Sequence, residues 1–248
     1  MKEAEQLDKL ESWIDSSIRI AVLTGAGVST ESGLKDFRSE AGWFNKDEPI
    51  EAYLSRPYFN RNPEKFWNNY KQIFHLSSLD QYEPNSAHLF LKALERQGKD
   101  VTIITQNVDG LHHKAGSSKV IEVHGSVMTP ECPLCGCSYE FSYVLEYDTP
   151  VCKQCGTVLN PGIVLYGDAI HGWEEAEEAV MKADLFLVMG TSLSVSPVNM
   201  LPTLAKTANV RYRVLINEEV TPMNDYFNLF LQQRLGAVFE RERNENQE

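Results

Sequence analysis

Four cysteines form two Cys-x-x-Cys pairs, Cys132 with Cys135 and Cys152 with Cys155, sixteen residues apart. Thiolates at that spacing can enclose one tetrahedral Zn²⁺ and leave it no open coordination position. A metal closed in this way holds structure, so the reaction must be sought elsewhere. Both pairs lie in short polar turns rich in proline and glycine, not at a strand-to-helix junction, which argues against a thioredoxin-type redox pair. Cys137 is left over and reads as a spare thiol.

Other residues of the right type follow apolar runs. Thr24-Gly25-Ala26-Gly27-Val28-Ser29-Thr30 comes directly after Ile20–Leu23. Glycines there let backbone approach a pyrophosphate, and a following helix N-terminus favours its charge. The third glycine of a dinucleotide fingerprint is missing, since Thr30 stands in its place. A glycine turn with no ligand is the alternative. Thr105-Gln106-Asn107-Val108-Asp109 follows Val101–Ile104. Its amides and carboxylate offer both donors and acceptors, as a ribose or carboxamide needs. Asn107 and Asp109 read equally well as local caps of a turn. No acidic residue follows that run at the place where a dehydrogenase binds a ribose hydroxyl, so hydride transfer is the poorer guess. His124 lies between a short predicted strand and the cysteines, where a neutral imidazole suits general-base work. His75, His88, His112, His113 and His171 fall in predicted helices or turns and read as structural. Gly190-Thr191-Ser192 and Asn217 follow two further apolar runs, from which small polar side chains reach phosphate or ribose oxygens.

These residues need a scaffold. Ile20–Leu23, Val101–Ile104, Leu185–Met189 and Val214–Ile216 are continuous apolar runs, the pattern of parallel strands buried on both faces. Val120–Val123 reads as a fifth, shorter strand. Helical patterns alternate with them, one capped near Asn85 or Ser86 and closed by Gly98, another over Trp173–Ala183. The alternation predicts an α/β fold, a Rossmann-like doubly wound parallel sheet. The aromatic stretch 40–77 and the cysteine stretch 129–159 break it, and together they predict a small helical and zinc-binding module inserted into the large domain (1–39, 78–128 and 160–248).

Among 248 residues the net charge is −12, which argues against nucleic-acid or anionic-membrane binding. Free or metal-bound thiols, a charged N-terminus and the lack of a long apolar run predict a cytoplasmic location. A monomer is expected.

In order along the chain, Gly25-Ala26-Gly27-Val28-Ser29, Asp36-Phe37-Arg38, Thr105 to Asp109, His124-Gly125, the four cysteines, Gly190-Thr191-Ser192 and Ile216-Asn217 resemble the sirtuin family of NAD-dependent protein deacylases. The resemblance implies that NAD and an acyl-lysine meet in a cleft between the two modules. It assigns Ala26, Thr30, Phe37 and Arg38 to a loop over NAD. It sets Gln106 and Asp109, with Asn107 and Val108 beside them, at the nicotinamide and its ribose. Thr191, Ser192 and Asn217 would hold the phosphates and adenosine. Val164, Tyr166 and Gly167 would pair with the substrate backbone as an edge strand does. It implies that the acyl oxygen attacks C1′ of the nicotinamide ribose, that His124 takes a proton from the ribose hydroxyls, and that 2′-O-acetyl-ADP-ribose, nicotinamide and free lysine leave. Two departures stand out. Lys35 replaces a usual proline, and the Tyr-x-x-Arg pair that marks acidic acyl groups in one branch reads here as Tyr70 and Ile73. Protein mono-ADP-ribosyl transfer, or a non-enzymatic NAD-sensing scaffold, are the alternative functions.

Overall fold

The computed structural model describes residues 3–35 and 50–239. Its strands are β1 (Arg19–Thr24), β2 (Asp100–Thr105), β3 (Val120–Glu122), β4 (Leu185–Met189), β5 (Tyr212–Ile216) and β6 (Leu229–Leu231). They form one sheet in the order β3-β2-β1-β4-β5-β6, and each neighbouring pair is parallel. The chain winds outward from β1 in both directions. The strand order therefore reverses between β1 and β4, which opens a crevice at their C-terminal ends.

Burial on both faces explains the continuous apolar runs. Ile20, Val22, Leu185 and Leu187 point into one core with Leu10 and Ile14 of the helix Glu3–Asp15 and Leu91 and Leu94 of the helix Ser86–Arg96. Ala21, Leu23, Phe186 and Val188 point into the other, against Ala176 and Val180 of the helix Trp173–Lys182. Asn85 caps Ser86–Arg96, its side chain accepting from the Ala87 N–H at 3.0 Å. A third core joins Phe66, Trp67 and Tyr70 of the helix Pro63–Ile73 to Tyr143, Val144 and Leu159 near the cysteines, so the two irregular stretches bury each other. Val108, Val127, Ile163 and Leu165 enter the same core and tie it to the sheet.

Several elements differ from expectation. β6 and the helix Glu3–Asp15 were not foreseen: one is three residues long, the other has a charged, weakly apolar sequence. Where an α-helix was expected after the glycine turn, two short 3₁₀ turns, Ala26–Val28 and Thr30–Ser32, stand instead. The Asn85 amide holds them by donating to the Val28 carbonyl at 2.7 Å and to Ser32 Oγ at 3.0 Å.

Candidate functional site

The C-terminal ends of β1, β2 and β4 converge. The Gly27 N–H donates to the Gly190 carbonyl at 2.9 Å. A Cβ on Gly27 would lie 2.8 Å from Gly190 Cα, and one on Gly25 would lie 2.7 Å from Thr191 Cβ. Gly190 has φ +58°, and a Cβ there would lie 2.5 Å from the Val28 nitrogen. These glycines are therefore needed for the packing of two turns against each other, whatever else binds there. Gly190→Ala adds a steric clash to a left-handed backbone and is expected to destabilise by about 1–3 kcal/mol, read as a lowered urea midpoint; an unchanged midpoint would contradict this packing account.

Around this junction the polar residues interlock. Ser29 Oγ donates to Asp109 Oδ2 at 2.7 Å, and Asn107 Nδ2 donates to Ser29 Oγ at 3.0 Å. The Leu111 N–H donates to Asp109 Oδ1 at 2.9 Å. Burial raises the Asp109 pKa, while these donors pull it back. Gln106 Nε2 donates to Thr191 Oγ1 at 3.0 Å and joins the ends of β2 and β4. Thr30 Oγ1 donates to the Gly27 carbonyl within its own turn. Ala26 lies partly exposed at that turn's edge. Val108 differs from its neighbours: its side chain packs in the third core and its carbonyl accepts from the Val127 N–H. Asn217 ends β5, with its amide donating to the Glu219 carbonyl, and Ser192 Oγ lies 3.1 Å from Ser194 Oγ. Phe37 and Arg38 lie outside the described residues.

His124 sits just past β3. Its Nδ1 is 3.0 Å from the Gln106 carbonyl oxygen. A carbonyl only accepts, so Nδ1 carries the proton and Nε2 keeps its lone pair. Burial lowers the His124 pKa, partly offset by this hydrogen bond, so the ring is neutral near pH 7. The next residue, Gly125, has φ +72°, and a Cβ there would lie 2.2 Å from the Gly162 carbonyl oxygen. The His124 loop is thus pressed onto the segment that carries Val164.

That segment alternates, Ile163 and Leu165 buried, Val164 and Tyr166 turned outward. The Val164 N–H donates to the His124 carbonyl at 2.8 Å. The main chain of Tyr166 pairs on both sides of its residue, donating to the Leu54 carbonyl at 2.9 Å and accepting from the Arg56 N–H at 3.0 Å. The Arg56 guanidinium grips Asp168 with two bonds of 2.9 and 2.7 Å, the bidentate geometry that orients as well as attracts. Gly167, φ +103°, turns the chain between them. Tyr70, the tyrosine of the altered Tyr-x-x-Arg pair, is fully buried, and its hydroxyl donates to the Pro161 carbonyl at 2.8 Å. It props up the Ile163–Asp168 segment from below.

The sulfur atoms of Cys132, Cys135, Cys152 and Cys155 lie within 4.8 Å of one another. Pairs approach to 3.5, 3.5 and 3.9 Å. A tetrahedron with metal–sulfur bonds of about 2.3 Å has edges of about 3.8 Å, so the set fits Zn²⁺. Each pair is closed the same way. Gly136 and Gly156, both at positive φ, donate back to the Cys132 and Cys152 carbonyls at 2.9 Å. The Tyr139 hydroxyl donates to Cys152 Sγ at 3.1 Å, a second-sphere contact that spacing alone did not reveal. Cys137 is not in the cluster; it packs against the third core.

Sequence reasoning also passed over Ser29, whose hydroxyl holds Asn107 and Asp109 together. It lay inside a quoted motif, and a lone serine gives no separate signal.

A parallel sheet with polar turns gathered at its switch point defines a Rossmann-type nucleotide-binding α/β protein. Residues 25–197 match the Sir2 family. A NAD-dependent protein deacetylase of Bacillus cereus is 44% identical over 236 residues, covering 95% of this chain and 97% of the relative. One of Chromobacterium violaceum is 46% identical over 231 residues, covering 93% and 94%. A solved structure described as Sir2 with p53 peptide and NAD⁺ superposes with a TM-score of 0.85 at 31% identity, covering 100% of this chain and 99% of that one. Another, Sir2 with an inhibitor, 2′-O-acetyl-ADP-ribose and a deacetylated p53 peptide, gives 0.84 at 31% identity, covering 97% and 99%. The chain belongs to the Sir2 family.

Proposed function

We propose that the protein is a NAD-dependent protein-lysine deacetylase that converts acetyl-lysine, NAD and water to lysine, nicotinamide and 2′-O-acetyl-ADP-ribose. The observation that carries this reading is the His124 imidazole. It is oriented through Nδ1 by the Gln106 carbonyl, and burial favours its neutral form, which leaves Nε2 with a free lone pair. Relatives across the full length of the chain bear the name of that activity.

In this reading Gly25, Ala26, Gly27 and Thr30 border the NAD pyrophosphate, with Phe37 and Arg38 over it. Gln106, Asn107, Val108 and Asp109 surround the nicotinamide and its ribose, and Ser29 fixes Asn107 and Asp109. Gly190, Thr191, Ser192 and Asn217 border the remaining phosphate and adenosine parts. Val164, Tyr166 and Gly167 present the surface for the acyl-lysine peptide. Because the Tyr166 main chain is engaged with Leu54 and Arg56, recognition there falls to Val164, Gly167 and the outward side chains. His124 Nε2 accepts a proton from a ribose hydroxyl, which frees that oxygen to attack the acyl carbon. Zn²⁺ on the four cysteines would hold the fold of the inserted module and take no part in the reaction. The division into a sheet domain and an inserted module of 40–77 and 129–159 is supported by the core that residues 50–77 and 129–159 share; residues 40–49 lie outside the described residues. Among the described residues no helix is long and apolar enough to cross a membrane. A cytoplasmic location is proposed on the cysteines alone, which as free or metal-bound thiols suit a reducing compartment.

The test is nicotinamide release from NAD with and without an acetyl-lysine peptide. Release that depends on the peptide is expected; release without it, and unchanged by it, would contradict the reading. A pH profile follows from the lowered His124 pKa. The neutral form persists below the ordinary 6.5, so the acid limb of kcat/KM is expected to have its midpoint below that value. A midpoint well above it would mean that His124 is not the base.

A further inference from the structure

The mechanism leaves two buried histidines unused. His88 and His112 are almost wholly inaccessible, and their rings meet at 4.7 Å between centroids, tilted by 56° to each other. Each commits one nitrogen. His88 Nδ1 lies 3.1 Å from Asn85 Oδ1, and His112 Nε2 lies 3.0 Å from Thr24 Oγ1. The other nitrogen of each ring, His88 Nε2 and His112 Nδ1, has no partner among the described residues. Burying an unpaired polar atom costs free energy, so a leucine or phenylalanine would serve packing better at either place. What the histidine at 112 offers is its bond to Thr24.

That bond leads to the reaction centre. Thr24 Oγ1 lies 2.9 Å from Thr105 Oγ1, both buried at the ends of β1 and β2. Thr105 Oγ1 accepts from the Asn107 N–H at 3.0 Å. That N–H belongs to the same peptide unit as the Gln106 carbonyl, which accepts from His124 Nδ1 at 3.0 Å. One rigid amide plane therefore has a buried hydroxyl on one edge and the His124 ring on the other. The geometry points to His112 as a positioning residue for His124, acting through the Thr24 and Thr105 hydroxyls and the Gln106–Asn107 peptide. The chain of bonds fixes the tilt of that peptide and with it the direction of His124 Nε2. Burial keeps His112 neutral, with His88 and His113 adding to the same effect, so the relay carries no charge toward the site.

This inference rests on the proposed role of His124, and its test separates the two. Thr24→Val keeps the shape of a buried residue and removes the hydroxyl. It is expected to lower kcat for deacetylation by about tenfold, the order of one hydrogen bond holding a reacting group, with KM for NAD changed less than about twofold. His112→Leu should do the same, and His112→Gln, which keeps a donor and an acceptor at similar reach, should recover most of the loss. In a His124→Ala background Thr24→Val should cost nothing further, because the group it orients is gone. The inference is overturned if Thr24→Val costs the same factor in both backgrounds, if KM rises while kcat holds, or if Thr24→Val behaves as the wild type. If His112→Leu fails to fold, Thr24→Val and His112→Gln decide the question. A wild-type protein that releases no nicotinamide would instead refute the proposed function.

Discussion

His124→Ala is expected to lower the rate of deacetylation by ~10²–10⁴, the usual cost of losing a positioned general base. The fold, zinc content and NAD affinity should survive. The ring lies at the end of a loop already held by the Val164 N–H on its carbonyl and by the close approach of Gly125 to Gly162. Its own side chain makes one hydrogen bond among the described residues, to the Gln106 carbonyl. Losing one neutral hydrogen bond costs about 0.5–1.5 kcal/mol, far less than a domain's stability. Stability and catalysis should therefore separate in this variant. Comparison of its turnover and its melting temperature with the wild type checks the separation. Wild-type turnover would pass the role to another group near the cleft. The candidate would be Asp109, which is buried with a raised pKa and yet already bonded to Ser29, Asn107 and the Leu111 N–H.

Removing the metal is expected to have the larger effect on structure. Four thiolates holding Zn²⁺ are worth on the order of 10–16 kcal/mol in apparent binding energy in small domains. Cys132 and Cys152 are buried members of the same core as Phe66, Trp67 and Tyr70. Cys152→Ala, or chelation, should unfold that core together with the Pro63–Ile73 helix. The two cores flanking the sheet are built from other residues and should remain. Unfolding should then proceed in two transitions, with deacetylation lost in the first. Activity should disappear indirectly, because Tyr70 holds Pro161 and the third core carries Ile163 and Leu165 beneath the proposed peptide surface. Elemental analysis should find one zinc per chain. Active protein with less than about half an equivalent, or a single transition unaffected by chelation, would contradict this account.

Much of this was readable before any coordinates. Continuous apolar runs as short as Leu185–Met189, closed by a glycine, fit strands covered on both faces better than helices, so the sheet and its crevice followed. The cysteine spacing carried its tetrahedron in the sequence itself. What sequence could not convey were bonds between distant residues that bear ordinary side chains. Ser29 meets Asp109 across 80 positions, and Thr24 meets His112 across 88. Nothing in a threonine's local sequence says which hydroxyl it will face. The glycine turn reads in the sequence as a place where backbone approaches a pyrophosphate, and what packs against it in the structure is the Gly190 backbone. Tyr70 shows a related limit. An aromatic at helical spacing looks the same whether it lines a pocket or fills a core, and here it fills the core.

The most direct test of the central claim is mass balance in one reaction. The protein is incubated with NAD and an acetyl-lysine peptide, and all products are measured by mass spectrometry. The account predicts a peptide lighter by one acetyl group, with nicotinamide and O-acetyl-ADP-ribose formed in equal amounts to it. A peptide that gains ADP-ribose and keeps its acetyl group, or NAD left intact beside a deacetylated peptide and free acetate, would contradict it.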